Sequence, residues 1–592
     1  MYEGMRHLCY VYIKSFRQLS DVEIKLDSRY NFEVNKADYS IKISKSSDIP
    51  KGFWGKGIYS VAAIVGDNGS GKTSILNFIL ESIVEGLVNP EINGVVVYEQ
   101  GGELSVLGTN RIQADATIPC HGIDEKKNIN CFYYSGHYRS YGLAVGPMDY
   151  QYAGSYIATD SWLLNNSLEG YSNDGLSPRL TRQYYMYQDA FISQNNHRIC
   201  MMLAREDLRQ ILKGFSLPRY VIVGVNQGAE TYFKNNPPKD KENKDIAIPP
   251  FKSPYQGLKS NDSILCQMVY NCLLSVIHDW GAFDGDFSII EHWQDYLSDR
   301  IGVLPQLQEF ANGFNEPKDR DYIRHIVRVL TRVAELTTFK TNGVTAFMYV
   351  DVINGSDALS ELATILKNDG LLTSRLFDLY YAQSLDSTTI LSSGEQELLD
   401  LFSRLYDAIE LKPNKFGNLE ASRIVLLDEA EIGYHPEWQR NYLSTVIKFL
   451  QAMYVIGGLD FQIVITTHSP ILLSDIPTQC VNYLRKDANG KTYNVKSCPQ
   501  TFGTNVFEQY RNSFFMENGL IGQFAVEKLN NIRLRLESNE LDGIEREIEL
   551  IGDERIRNFL MMRLKGNALD NEIRRTEARL EKLKELKRRE QN

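Results

Sequence analysis

Positions 66 to 74 read Gly66-Asp67-Asn68-Gly69-Ser70-Gly71-Lys72-Thr73-Ser74. Glycines at this spacing let a backbone curl tightly around phosphate oxygens with its N–H groups pointing inward. Lys72 brings a point charge suited to β- and γ-phosphates, and the Thr73 hydroxyl is a natural Mg²⁺ ligand. G-x-x-x-x-G-K-T is a complete Walker A pattern, so the expected ligand is ATP with Mg²⁺, cradled by Gly66 to Ser74. The context agrees. The apolar run Ile58–Gly66 precedes the turn, and Ile75, Leu76, Phe78, Ile79 and Ile83 follow at helical spacing. A strand feeding a helix N-terminus adds the positive end of the helix dipole to the phosphate site.

Three further segments carry chemistry. In RIVLLDEAEIGYHPEWQ, 423–439, an apolar strand runs into Asp428 and Glu429. Carboxylates at the end of a buried strand are costly unless paired or metal-bound. Asp428 is the expected Mg²⁺ holder, and Glu429 the general base for an attacking water. Leu391-Ser392-Ser393-Gly394-Glu395-Gln396 opens a helical pattern. Its serines and N–H groups could bind a second anion, and the same residues also form a capping box. In FQIVITTHSPILLSD, 461–475, a strand ends at Thr466-Thr467-His468; the segment resembles the switch-histidine loop of ABC ATPases, which implies that His468 senses a γ-phosphate by hydrogen bond.

These motifs need elements to position them. Residues 8–26 alternate as strands with a break at Ser15–Ser20, and GVVVYE, ELSVLG and NINCFYYS within 92–135 read as further strands. The predicted fold class is α/β: a P-loop NTPase with an antiparallel β subdomain, whose motif order resembles that of an ABC-ATPase head. It carries a large, mainly helical insertion and a helical C-terminal region. The expected divisions are 1–139, 140–384, 385–500 and 501–592. The insertion mixes helical patterns (ISQNNHRICMMLAREDLRQILKGF) with strand-like pieces (RYVIVGV, AFMYVDVI) and a Pro-rich charged loop at 235–250. Near the C-terminus, Leu569, Ile573, Thr576, Leu580, Leu583 and Lys587 follow coiled-coil spacing, which also suits a solvated helix on the protein's own surface.

Composition narrows the classes. With 43% hydrophobic and 23% charged residues, the 592-residue chain can build a large core. A net charge of −11 rules out a surface basic all over, so any nucleic-acid contact needs a local patch. The eight cysteines include no CxxC pair and read as reduced thiols, not as a zinc site. Neither a signal peptide nor an apolar stretch of about 20 residues is apparent, so a soluble cytoplasmic protein without membrane contact is expected.

The order of Walker A, LSSGE, LLDEAEIGYHPEWQ and ITTHSP resembles ABC-type ATPases related to the structural-maintenance, Rad50 and RecF proteins. The similarity is greatest to the OLD-like, AAA-15/AAA-21 branch, including ATPases of Septu-type and retron anti-phage systems. HPEWQ and residues 502–530 are features of that branch, and the resemblance covers roughly 1–135 and 385–530. It implies a head-to-head homodimer in which Ser393 and Gly394 of one copy cap the γ-phosphate held by Lys72 of the other. The family's usual glutamine between Walker A and signature is missing from FYYSGHY, 132–138, leaving Ser135, His137 or Gln151 as candidates.

The resemblance further implies an ATP-driven sensor and regulator of a separate nuclease partner of HNH type. A built-in nuclease is not expected, since residues 476–592 lack a DxD and read as helix. The alternative is a RecF-like ATPase that binds duplex DNA directly. A transporter ATPase is disfavoured by the long stretch between Thr73 and Leu391. The tyrosine-rich segment 132–162 could stack on bases or simply pack.

Overall fold

The computed structural model describes residues 6–84, 93–108, 129–135, 155–157, 183–225 and most of 230–590. Short breaks fall at 38–40, 47–48, 51, 231–232, 234, 240–243, 256–260, 281, 342–345, 386–390, 412–421, 458–459, 496–499 and 513–520. Two compact units are present, residues 1–514 and 515–592.

The first unit begins with β1 (Arg6–Phe16) and β2 (Leu19–Lys25), joined by a turn in which Arg17 has φ +51°. The hairpin of β3 (Tyr30–Val34) and β4 (Ile41–Lys45) follows. Strand β5 (Ile58–Gly66), IYSVAAIVG, is buried along nearly its whole length, as a strand covered on both faces must be. It leads through the glycine turn into helix α1 (Lys72–Val84). Strands β6 (Asn93–Gln100) and β7 (Glu103–Gly108) return to the N-terminal hairpin, giving an antiparallel sheet ordered β2-β1-β6-β7. The break expected at Ser15–Ser20 falls at this Arg17 turn.

Next come β8 (Ile129–Ser135), β9 (Ser155–Ile157), helix α2 (Gln183–Ala204) and β10 (Tyr220–Val225). Helices α3 (Asn261–Trp280) and α4 (Pro317–Leu336) lead to β11 (Thr338–Thr341) and β12 (Ala346–Asp351). Helices α5 (Ser356–Asn368) and α6 (Gly370–Leu376) precede β13 (Phe377–Ala382). RYVIVGV and AFMYVDVI thus become β10 and β12, the centre of an antiparallel sheet ordered β11-β12-β10-β13. Within the helices Arg375 is clamped between Asp189 and Asp279, 2.5 Å from each. Burial raises the Asp189 carboxyl to about 6 despite that arginine.

Helix α7 (Ser393–Tyr406), β14 (Ser422–Asp428), helix α8 (Pro436–Gly457), β15 (Phe461–Thr466), β16 (Val481–Lys486) and β17 (Thr492–Asn494) complete the sheets of the first unit. The central sheet runs β17-β16-β5-β15-β14-β8-β9, parallel throughout except at the β16–β17 edge. Its parallel strands all deliver their C-terminal ends to one side, where crevices in α/β sheets bind ligands. One core joins the two head sheets through α1: Leu8, Val11, Ile13, Ile75, Phe78, Ile79, Ile424 and Val464 are all at most 1% exposed. Burying side chains of this size contributes about 1.5–3 kcal/mol each. Gln462 stitches the sheets as well, accepting from Leu8 N at 2.8 Å and donating to Leu8 O at 2.6 Å.

The second unit packs helices α9 (Gln523–Glu537), α10 (Ile544–Glu549) and α11 (Glu554–Glu590) around Ile532, Leu536, Ile544, Ile548, Leu560 and Leu564. No described helix is long and apolar enough to cross a membrane.

Candidate nucleotide site

The glycine turn sits at the C-terminal end of β5. Gly69 and Gly71 have φ +72° and +91°, which favours residues without a Cβ. A Cβ on Gly66 would lie 2.4 Å from Leu484 O, so a neighbouring backbone forbids one there too. The turn is braced from two sides. Thr492 Oγ1 donates to Ser70 O at 2.9 Å, and Lys486 N to Asp67 Oδ2 at 3.3 Å. From the N-terminal hairpin, Gln18 Nε2 donates to Ser74 Oγ at 2.7 Å, and Leu19 packs over Gly71. Ser70 Oγ is buried without a partner among the described residues. Asn68 is exposed at the rim of the turn.

Lys72 is 5% exposed. Its ammonium lies 2.6 Å from His468 Nε2 and 3.6 Å from Glu429 Oε1, and His468 Nε2 is 3.2 Å from the same carboxylate oxygen. Burial lowers the Lys72 pKa, while Glu429 pulls it back up. Strand ends β5, β14 and β15 are neighbours, so three distant segments converge on one triangle.

Glu429 has φ +49°, a left-handed conformation that costs a non-glycine residue of order 1 kcal/mol or more. The surroundings enforce it: Glu429 N donates to Thr466 Oγ1 at 3.0 Å and to Thr466 O at 3.1 Å. Asp428 is 3% exposed, and its two oxygens accept from Thr466 Oγ1 at 2.5 Å and Tyr133 OH at 3.0 Å. Among the described residues no ion pair neutralises Asp428. A buried carboxylate held only by hydroxyls suits a site completed by a cation. Asp428 and the partly buried Thr73, at the start of α1, therefore fit a bound Mg²⁺.

Ser135 ends β8 directly beside Asp428 in register. His137 and Gln151, the other candidates for the missing glutamine, lie outside the described residues. At the signature, Ser392 is the N-cap of α7. Its Oγ accepts from Glu395 N, and its own N–H donates to Glu395 Oε2 at 2.7 Å. Ser393 is exposed and free of that cap, while Gly394 is buried against Gly433, whose carbonyl would meet a Cβ at 2.7 Å.

One residue to which the sequence reading gave no chemical role is Glu431. It is 1% exposed, accepts a hydrogen bond from Thr467 Oγ1, and leaves Oε2 buried without a partner among the described residues. Burial raises its pKa to about 7. The same Thr467 oxygen accepts from Ser469 N at 2.8 Å, and Ser469 Oγ donates to Gln439 Oε1 at 2.7 Å. The 429–435 turn and the start of α8 are thus tied to the His468 loop on one side and, through Gly433, to the signature helix on the other. The EAE spelling of the motif was the only sign of this in the sequence.

A glycine-rich turn and helix at the end of a central parallel strand, flanked by strands ending in acid and histidine, define the P-loop class. Residues 278–474 match the family described as an AAA domain, putative AbiEii toxin, Type IV TA system. That segment contains the signature, Asp428, Glu429 and His468 but not the glycine turn. The chain is similar to a retron Vc95 probable ATPase of Vibrio cholerae serotype O1 biovar El Tor, with 24% identity over 40% of this chain and 41% of the relative. It is similar to a retron Ec83 probable ATPase of Escherichia coli, 31% identical over 17% of each, and to the Septu protein PtuA of Bacillus mycoides (strain KBAB4), 27% identical over 23% of this chain and 18% of that one. The matches span less than half the length of each of these relatives.

Proposed function

We propose that this protein is a homodimeric ABC-type ATPase that governs a separate nuclease in anti-phage defence. The observation that carries the catalytic part is the triangle of Lys72, Glu429 and His468, drawn from three strand ends. Without ligand, Glu429 acts as counter-ion to the buried lysine. A γ-phosphate arriving in the glycine turn supplies that negative charge instead. It leaves Glu429 free to polarise water and sets His468 against a phosphate oxygen. Mg²⁺, held by Thr73 and Asp428, would neutralise charge on the β- and γ-phosphates. Exposed Ser393 and the N-terminus of α7 face outward to serve the site of a second copy, so that ATP joins the heads.

The defence role rests on similarity to retron and Septu ATPases, and the nuclease partner on analogy within that branch. The test is phosphate release by the purified chain, together with phage plating on cells carrying the chain and its neighbouring genes. Turnover and protection both lost on Lys72→Ala support the reading. Protection retained in Lys72→Ala cells removes it.

A further inference from the structure

The long helix α11 has two working faces. Ile556, Leu560 and Leu564 recur every fourth residue and enter the core of the second unit. On the opposite face Phe559, Met562, Leu569, Ile573, Leu580 and Leu583 are 48–68% exposed. With Gly566 and Thr576 these positions continue one 3-4 heptad seam from 559 to 583, longer than the stretch legible from 569 onward. A run of large apolar side chains this regular is a partner-binding face.

The flanking charges say what fits it. In a parallel pairing with a second copy, Glu572 would face Glu577 and Arg579 would face Lys584, with Lys565–Asp570 the one attractive pair. In an antiparallel pairing centred between Asn567 and Ala568, each of the four flanking charges within 559–576 finds its opposite, while Glu577 and Arg579 fall beyond that overlap. Lys565 meets Glu572 of the second copy, Arg563 meets Asp570, and both contacts occur twice by symmetry. The core layers are then Phe559 with Thr576, Met562 with Ile573, and Gly566 with Leu569. Mid-helix glycine costs about 1 kcal/mol, and a Cβ on Gly566 would meet nothing within 4 Å among the described residues. Opposite a leucine Gly566 supplies the small side of a small–large layer. The overlap spans about 27 Å at 1.5 Å per residue. Beyond it, the second copy's Leu580 and Leu583, with Glu577 and Glu581, come to a groove of about 400 Å³ lined by Arg533, Arg555, Phe559 and Arg563.

We infer that α11 is a self-association element, pairing antiparallel with α11 of a second copy of this chain through the 559–576 seam. This contact is separate from the nucleotide-dependent head contact, and each would hold the other at high effective concentration.

The test uses the full chain without nucleotide, in wild-type and Lys72→Ala forms, so that failure of the head dimer does not affect it. Sedimentation equilibrium should give a dimer, with Leu569→Glu/Ile573→Glu weakening it at least about tenfold while circular dichroism stays unchanged. Glu572→Lys should weaken pairing and Lys565→Glu/Glu572→Lys restore it. A parallel pair would instead be strengthened by Glu572→Lys, which overturns the inference. A mixture of Met562→Cys and Ile573→Cys chains should give an oxidised cross-link above the wild-type background, with neither variant alone doing so. A nucleotide-free monomer, or an unchanged dimer in the Leu569→Glu/Ile573→Glu chain, also overturns it.

Discussion

Lys72 Nζ lies 2.6 Å from His468 Nε2, although 396 positions separate the two residues. The contact exists because β5 and β15 are adjacent parallel strands that end on the same side of the sheet. It makes the lysine of the glycine turn and the strand-end histidine parts of one small electrostatic unit, with Glu429 as the third member.

Removing either end of that contact should separate binding from turnover. Lys72→Ala is expected to abolish nucleotide binding, since a buried charge aimed at phosphates is lost. His468→Ala should keep affinity within a few-fold and lower kcat by about 10²–10³, the size of losing one positioned hydrogen-bond partner. Nucleotide titration and phosphate release measure the two effects. A His468→Ala enzyme with unchanged kcat would remove the histidine from the mechanism.

Glu429→Gln keeps the shape of the left-handed residue and deletes the proposed base. The expected result is ATP binding without turnover and a dimer that accumulates with ATP and Mg²⁺ but not with ADP. Light scattering coupled to gel filtration reads this directly. To keep α11 from masking the outcome, the measurement belongs in the Leu569→Glu/Ile573→Glu background.

Glu431 predicts a pH dependence of stability. Its folded pKa of about 7 stands above the ordinary carboxylate value of 4.5, so the folded state binds the proton more tightly than the unfolded chain does. Stability from this group is therefore full below about pH 4.5 and lost as pH rises through about 7. Glu431→Gln retains an acceptor for Thr467 and removes the loss. Its thermal midpoint should match wild type near pH 5 and exceed it at pH 8, by the equivalent of up to about 3 kcal/mol. A constant difference at both pH values would show that Glu431 does not titrate in this window.

Gly394→Ala tests the contact between signature helix and 429–435 turn. The new Cβ would lie 2.7 Å from the Gly433 carbonyl, a backbone atom with no rotamer to yield. A cost of about 1–3 kcal/mol is expected from overpacking of this kind. A lower thermal midpoint together with reduced turnover is the predicted outcome. Unchanged values would mean that the turn shifts freely.

Local sequence carried much of the head. The glycine turn, the acid-ended strand and the histidine-ended strand were legible because each is a contiguous spelling with its own physical reason: phosphate wrapping, metal holding, strand burial. So were β10 and β12 as strands, from their apolar runs. What the spelling could not give was adjacency. That Glu429 and His468 close on Lys72, that Tyr133 and Thr466 hold Asp428, and that Glu431 accepts from Thr467 all follow from strand order β5-β15-β14-β8, which is decided by packing between segments from tens to hundreds of residues apart. The same holds for α11. Its periodicity is written in the chain, but only the folded unit shows which stripe its own core consumes and which is left for a partner. Hydrophobic pattern is a local property, whereas burial belongs to the whole fold.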